Sequence, residues 1–186
     1  MKITAFLGSP RKDGNSERLL TQAIKGTGLE VKIHRLNDMS LRPCQNCGGC
    51  VKTGVCIIKD DMDPIYEDIR SSDRLILASP VFFMSVSAQS KILIDRCQAF
   101  WCEKYLLNKD IAAGTHGRKG LVMLVGGMEK DKGIKCAASV ATAFMRTVSV
   151  PEHQTLMYMG VDEKGEIDKH KSALDEALEA GRALIE

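Results

Sequence analysis

A run of cysteines between residues 44 and 56 is the stretch of this sequence with the clearest capacity for chemistry. It holds four of the chain's seven cysteines, namely Cys44, Cys47, Cys50 and Cys56. A short loop with such spacing can bring several thiolates to one soft metal centre. Three interpretations are open at this point: an iron–sulfur cluster, a structural zinc, or a loop of free thiols.

The spacing favours a cluster over zinc. A structural zinc usually takes two pairs of ligands separated by a longer spacer, whereas three cysteines at two-residue intervals are typical of ferredoxin-like cluster sites. The match is incomplete, because five residues separate the fourth cysteine from the third and no proline comes after it. We predict a [4Fe–4S] cluster on these four cysteines, with zinc or free thiols as alternatives. The remaining three receive no role, and they are Cys97, Cys102 and Cys136.

Composition indicates one ordinary globular domain over residues 1–186, with a cysteine-rich loop inserted at residues 37–59. The chain is 44% hydrophobic and 27% charged, and its net charge is only +2. No basic patch favours nucleic acid, and no apolar run is long enough to span a membrane. The amino terminus enters a strand pattern directly, without a leader-like segment, so we expect a cytoplasmic protein.

Strand and helix patterns alternate along the chain, which predicts a doubly wound α/β fold. Strands are expected at Lys2–Leu7, Glu30–Leu36, Arg74–Ala78, Gly120–Val125 and Glu152–Tyr158. Helices are expected from Ser16 with Asn15 as the N-cap, from Asp63-Pro64 to Ser71, and over Ser87–Cys97, Lys132–Ser149 and Lys169–Ile185. The expected architecture is a five-stranded parallel sheet in the order 2-1-3-4-5, with helices on both faces and a loop over Asn108–Arg118.

In such sheets a ligand lies beyond the carboxyl ends of the strands, where strand order reverses. The loop after the first strand supplies the hydroxyls of Ser9 and Ser16, the amide of Asn15, the cation of Arg11 and a helix amino end. This combination suits a phosphate group. The loop lacks the spacing of nucleotide P-loops and dinucleotide fingerprints, so a terminal monophosphate fits better. An ordinary capped turn is the alternative.

Two further loops reach the same edge of the sheet. Phe82 and Phe83 could form apolar walls for a flat heteroaromatic ring, although packing at a strand end would also explain them. Gly126 and Gly127 would let the backbone approach a ligand closely, although a double glycine also makes an ordinary turn.

Three segments, Gly8-Ser-Pro-Arg-Lys-Asp-Gly-Asn-Ser16, Ser79-Pro-Val-Phe-Phe83 and Gly126-Gly127, resemble the NADPH-dependent FMN reductase family of flavodoxin-like proteins. With the cysteine run added, the chain is similar to the iron–sulfur flavoproteins. The resemblance extends to about Gly133. It implies that FMN is bound, with its phosphate held by Ser9, Arg11, Asn15 and Ser16. It also implies that the ribityl chain and the isoalloxazine lie against Pro80, Val81, Phe82, Phe83 and Ser85. Phe82 stands where relatives often have tyrosine.

The resemblance implies an FMN-dependent redox flavoprotein, assembled as a homodimer or homotetramer, that exchanges electrons with ferredoxin, NAD(P)H or a quinone. Any NAD(P)H would stack over the flavin transiently. No side chain is assigned a catalytic role, because the flavin carries the chemistry. One alternative is an NAD(P)H-dependent FMN or quinone reductase without a cluster. A second is a non-catalytic flavodoxin-like module with a zinc-binding loop.

Overall fold

A computed structural model describes residues 1–112 and 117–186 of the chain. Its main sheet has five parallel strands in the order β2-β1-β3-β5-β6. The strands are β1 (Ile3–Leu7), β2 (Val31–Arg35), β3 (Arg74–Phe82), the short β4 (Ser85–Val86), β5 (Lys119–Gly126) and β6 (Glu152–Met159). The doubly wound fold class is confirmed. The order differs from the predicted 2-1-3-4-5, because β4, which pairs antiparallel with the end of β3, adds a sixth strand.

Helices cover both faces of this sheet. They are α1 (Asn15–Thr27), α2 (Met62–Ser71), α3 (Ala88–Arg96), α4 (Gln98–Trp101), α5 (Asp131–Thr147) and α6 (Ala173–Ile185). A π-helical turn (Cys102–Leu106) continues α4, and 3₁₀ turns cover Leu36–Asp38 and Glu166–Lys169. Core residues of α1 and α6 pack on one face, and those of α2, α3 and α5 pack on the other. Each face of the sheet therefore contributes to its own hydrophobic core.

Helices α1 and α6 touch through two glycines. A Cβ placed on Gly26 would lie 2.0 Å from the carbonyl oxygen of Leu178, and one on Gly181 would lie 2.0 Å from that of Ala23. Any side chain at either position would therefore push the two helices apart. This packing holds α1, whose amino end borders the site described below.

Two predicted helix starts, those of α2 and α6, differ from the structure, and the N-cap predicted for α1 is wrong. Helix α1 begins at Asn15 with Gly14 as its N-cap, because the Asn15 side chain bonds residues beyond β6 instead. Helix α2 begins at Met62, before Asp63. Helix α6 begins only at Ala173, because the residues ahead of it form the 3₁₀ turn.

The cysteine segment connects the 3₁₀ turn after β2 to α2, and residues 39–61 form no helix or strand. Its predicted insertion at residues 37–59 overlaps that 3₁₀ turn by two residues. The single-domain organisation stays a prediction. The expected loop at residues 108–118 includes residues 113–116, which lie outside the described residues. None of the described helices combines the length and apolar character needed to cross a membrane.

Candidate functional site

A cleft of about 400 Å³, open to solvent, lies beyond the carboxyl ends of β1, β3 and β5. Loops from three separate parts of the chain meet there, as expected where strand order reverses. The predicted cofactor residues that line the cleft are Ser9, Arg11, Asn15, Ser16, Pro80, Val81, Phe82, Gly126 and Gly127. Phe83 lines an adjoining pocket, and Ser85 pairs with Phe82 in the hairpin beside it.

The turn between β1 and α1 has the geometry of an anion site. The Ser9 hydroxyl accepts the N–H of Arg11 at 3.2 Å, and the N–H of Gly14 bonds the Arg11 carbonyl at 3.3 Å. The turn therefore folds tightly before the helix begins. The first N–H groups of α1 have no acceptor within the helix, and the helix dipole favours negative charge in front of them. Ser16 lies buried in this first turn.

Two of the predicted phosphate residues also bind the segment after β6. Arg11 donates from Nη1 to the carbonyl of Asp162 at 2.8 Å. Asn15 donates from Nδ2 to the carbonyl of Glu163 at 2.9 Å and accepts the N–H of Ile167 at 3.3 Å. The Asn15 side chain therefore positions a wall of the cleft.

That wall was missed by the sequence reasoning. Val161 and Asp162 line the cleft, although they follow the last strand of the sheet. A signal was present, because Gly160 and Gly165 flank the segment and both have positive φ angles of 67° and 80°. Such glycines mark a tight turn whose backbone must approach another part of the chain.

The β3–β4 hairpin forms an apolar edge of the cleft. Its two turn residues, Phe83 and Met84, both adopt left-handed backbone angles, with φ values of 47° and 63°. Such two-residue turns favour Asn and Gly, so bulky residues here are strained. Phe83 is fully exposed and Phe82 is partly exposed. They border a second, apolar pocket of about 680 Å³ that also includes Met128 and Met159.

The double glycine permits close packing between parts of the chain itself. A Cβ on Gly126 would lie 3.2 Å from the Cβ of Val81, and one on Gly127 would lie 2.9 Å from the Cβ of Asp162. The glycines therefore bring β5 against two other walls of the cleft. The predicted close approach to a ligand stays a prediction, and the contacts that the structure shows are between cleft walls.

The end of β1 lies against the amino end of α3. Ser87 caps α3 by accepting the N–H of Ser90 at 3.2 Å, and its own N–H donates to the Ser79 hydroxyl at 3.0 Å. A Cβ on Gly8 would lie 1.9 Å from the Ser90 oxygen. Gly8 therefore lets the loop after β1 start directly beside the amino end of α3, which follows the β3–β4 hairpin.

We predict that Gly8→Ala will lower the free energy of unfolding by about 1–3 kcal/mol, because the added methyl group overpacks this contact. Urea denaturation followed by circular dichroism measures the change. Gly133→Ala is the matched control, since its new Cβ would meet no atom closer than 3.5 Å. Equal loss of stability in both variants would contradict the steric argument.

The cysteine loop encloses a different pocket, of about 460 Å³. All four predicted ligands line it, together with Arg96 and Cys102. Cys47 is exposed, and the other three loop cysteines are half-buried. Within residues 1–112 and 117–186, no three or more His, Cys, Asp or Glu side chains are gathered closely enough to hold a metal ion. The loop thus surrounds one space with its thiols without drawing them to ligand distance.

A buried ion pair closes the base of this loop. Arg96, only 1% exposed, donates from Nη1 to the carboxylate of Asp60 at 2.7 Å and to the Arg42 carbonyl at 2.9 Å. Its Nη2 donates to the Ile58 carbonyl at 3.1 Å. Asp60 also accepts the N–H of Arg42 at 2.9 Å. One arginine therefore holds both ends of the loop together.

The Nε of Arg96 is also buried, and it has no hydrogen-bond acceptor among the residues that the structure describes. A buried N–H without an acceptor is rare and costs free energy. Arg96 also forms part of the wall of the cysteine pocket, so a buried positive charge lies beside the thiols.

Cys50 and Cys102 place their sulfurs 3.6 Å apart. Cys102 is buried, and it accepts a hydrogen bond from Gln98 Nε2 at 3.6 Å. Burial and the contact with Cys102 raise the pKa of Cys50 to about 11. Sequence reasoning gave Cys102 no role, because nothing in its local pattern marks it as a neighbour of the loop.

The Asp60–Arg96 pair predicts a pH-dependent stability. Burial alone would raise the pKa of Asp60, but hydrogen bonds from Arg96, Arg42 and Met62 outweigh it and lower that pKa. A lowered folded pKa means that the stabilisation is complete above the unfolded value of about 3.9, and is lost as pH falls through the folded pKa.

We predict that Asp60→Asn will destabilise the protein by about 3–5 kcal/mol at neutral pH, because it leaves the buried Arg96 charge uncompensated. The difference from the unaltered chain should narrow below about pH 4, as Asp60 itself becomes protonated. Thermal unfolding between pH 3 and pH 8 measures it. A difference that stays constant down to pH 3 would contradict this account.

The model of the NADPH-dependent FMN reductase family matches residues 1–160 of this chain. The chain belongs to that family. An iron–sulfur flavoprotein from Clostridioides difficile (strain 630) is 31% identical over 156 residues, which are 77% of this chain and 69% of that protein. Family membership confirms the resemblance that the loop motifs indicated.

Archaeal iron–sulfur flavoproteins match shorter stretches of the chain. One from Archaeoglobus fulgidus is 41% identical over 99 residues, 52% of this chain and 45% of its own length. One from Methanosarcina thermophila is 37% identical over 116 residues, 61% of each protein. The chain therefore spans about half to three fifths of the length of these two relatives.

Solved structures of low sequence identity share the fold. An NAD(P)H:quinone oxidoreductase from Methanothermobacter marburgensis has a TM-score of 0.71 at 18% identity, covering 99% of this chain and 98% of that one. An FMN-dependent NADH-azoreductase from Bacillus anthracis, solved in complex with FMN, has a TM-score of 0.63 at 14% identity, with full coverage of both chains. At these identities the similarity supports the fold class.

Proposed function

We propose that this chain is an FMN-dependent oxidoreductase whose flavin occupies the cleft beyond β1, β3 and β5. The observation that carries this proposal is the meeting of three sequence-distant loops, all part of the family match, around one cleft at a helix amino end. When bound, FMN supplies transfer of a hydride or of single electrons. The protein's part is to hold, orient and enclose it.

The phosphate of FMN would lie before the amino end of α1. Backbone N–H groups of residues 15–17 supply donors there, and the hydroxyls of Ser9 and Ser16 stand in the same turn. Arg11 adds a positive charge while its Nη1 holds the segment after β6. The residues present therefore fit a terminal phosphate.

The ribityl chain and ring would lie along Pro80, Val81 and the aromatic hairpin. Phe82 offers an apolar face inside the cleft, and the exposed Phe83 projects beside it. The apolar pocket next to this hairpin has room for a second flat ring, such as a nicotinamide or a quinone. NAD(P)H would therefore dock on the flavin transiently.

We further propose that the cysteine loop holds a [4Fe–4S] cluster through Cys44, Cys47, Cys50 and Cys56. All four thiols border one pocket, and the positive charge of the buried Arg96 lies in its wall, which suits an anionic centre. Relatives from three organisms are named iron–sulfur flavoproteins. The thiols would have to move closer together to reach ligand distance, as metal-coupled folding allows. A cluster would let the protein exchange single electrons with a ferredoxin-like partner.

A reductase without a cluster is the second candidate function. It is favoured by the thiols of the loop, which the structure does not gather closely enough to hold a metal ion. Such an enzyme would pass electrons from NAD(P)H to FMN or a quinone. A zinc-holding, non-catalytic module is a further outcome that metal analysis would reveal. We expect a homodimer or homotetramer in each case.

We predict that Arg11→Ala will weaken FMN binding by about 1.5–3 kcal/mol, roughly 10- to 150-fold in Kd, through loss of a charged hydrogen bond to phosphate. Flavin fluorescence quenching measures the affinity. Lys12→Ala is the control, because Lys12 is an exposed cation next to Arg11 that does not line the cleft. An unchanged Kd in Arg11→Ala would rule the contact out, and an unaltered chain that takes up no FMN would refute the proposed function.

We predict that the chain purified without oxygen will contain iron and acid-labile sulfide, and that Cys47→Ser will lose both while keeping FMN. Metal analysis and the visible spectrum measure this. Cys136→Ser is the control, since Cys136 is an exposed cysteine of α5 outside the loop pocket. Zinc in place of iron would refute the cluster and favour the zinc module. An FMN-loaded chain without any metal would favour the simple reductase.

A further inference from the structure

We propose that Cys50 and Cys102 are a redox-active thiol pair, whose disulfide ties the cysteine loop to the helix after α4 and removes Cys50 from metal ligation. Neither the proposed flavin site nor the proposed cluster uses Cys102. The disulfide itself is independent of what the loop binds. Only its effect on ligation rests on the proposed metal site.

The geometry needs little change to form this bond. The two sulfurs are 3.6 Å apart, and a disulfide requires about 2.05 Å, so they must approach by roughly 1.5 Å. Rotation about the side-chain bonds can supply a movement of that size. Cys102 is 1% exposed and Cys50 is half-buried, so Cys50 is the sulfur that an oxidant reaches first.

The backbone around Cys50 is firmly seated on the residues around Cys102. Gly54 donates its N–H to the Cys50 carbonyl at 2.8 Å, which closes a tight turn in the loop. A Cβ on Gly54 would lie 2.9 Å from the Cβ of Glu103. Glu103 is in turn held by Arg70 through two hydrogen bonds of 3.0 and 2.6 Å. The pair is therefore held together by the packing of two elements.

Cys102 also begins the π-helical turn. The N–H of Leu107 bonds the Cys102 carbonyl at 3.0 Å, which is the wider i to i+5 pattern. Single π-helical turns occur frequently at functional sites because they displace one side chain from the regular helix face. Here the turn starts at the residue whose sulfur meets the loop.

The chemistry balances with a low-molecular-weight disulfide, such as oxidised glutathione, as the oxidant. The Cys50 sulfur attacks one sulfur of that disulfide, and its proton passes to the thiolate that is released, which leaves a mixed disulfide on Cys50. The Cys102 thiolate then attacks the Cys50 sulfur and displaces the second thiolate. Two cysteine thiols are oxidised, one small disulfide is reduced to two thiols, and those thiols take up the two protons.

The consequence for the loop follows from the ligand count. A four-thiolate centre needs Cys50, so the disulfide and the complete centre exclude each other. Cys44, Cys47 and Cys56 would remain as three thiols, fewer than a [4Fe–4S] cluster or a four-cysteine zinc site requires. Under oxidising conditions the loop would therefore bind no four-thiolate metal centre until a thiol reductant reduces the disulfide.

The test compares the full chain purified anaerobically with the same chain after treatment with a metal chelator. Each is exposed to oxidised glutathione, alkylated, and digested with trypsin without reductant. We expect the treated chain to lose two free thiols and to give linked peptides Leu36–Lys52 and Cys97–Lys104, with fragment ions that assign the bond to Cys50 and Cys102. Dithiothreitol should restore both thiols.

Variants separate this bond from others. Cys102→Ser and Cys102→Ala should each retain glutathione on Cys50 as a mixed disulfide, because the resolving thiol is gone. Cys136→Ser should form the bond as the unaltered chain does. A Cys50 that stays reduced, or that links mainly to Cys44, Cys47 or Cys56, would overturn the proposal.

The metal content of the anaerobic and the chelated samples distinguishes the proposed thiol pair from the proposed metal site. If the anaerobic chain contains metal and resists the oxidant while the chelated chain forms the bond, both the pair and the metal site are supported. If both samples contain no metal and both form the bond, the thiol pair stands and the metal site fails. If the anaerobic chain contains metal and resists the oxidant, but the chelated chain gives no linked peptide, the metal site is supported and the thiol pair is overturned.

Discussion

The ion pair between Arg96 and Asp60 is the interaction on which the unusual part of this molecule depends. A loop without helix or strand gains little from its own backbone, so its shape must come from contacts elsewhere. The guanidinium of Arg96 supplies them by bonding both ends of the loop from inside the core. Arg96 ends α3, and Ser90 near the start of the same helix packs against Gly8, where the first cleft loop begins. The two candidate centres thus share one structural support.

The cleft where we propose that FMN binds could be predicted from sequence to a large extent, because its determinants are local. Strand ends, turn-forming residues and a helix amino end follow one another within short segments, and the parallel topology then brings those segments together. Ser9, Arg11 and Ser16 lie in one tight turn for that reason. The order of the five long strands could be predicted in the same way. The short hairpin strand β4 could not, because its two residues carry no periodic signal.

What the sequence did not reveal depends on contacts between distant residues. The Asn15 side chain looked like a helix cap, but its partners lie about 150 positions later in the chain. Cys102 meets Cys50 only because a helix and a loop pack together. No spacing rule relates such positions, so only the folded chain shows them. Residues whose role depends on tertiary partners are the ones that local patterns misassign.

The two glycines between α1 and α6 fix the position of one helix along the axis of the other. With backbone seated on backbone at Gly26 and Gly181, neither helix can slide past the other without a steric clash. The amino end of α1 is therefore held at a fixed height above the strand ends by the last helix of the chain. A carboxyl-terminal segment with no recognisable motif therefore fixes the position of the helix end at which we propose that the phosphate binds.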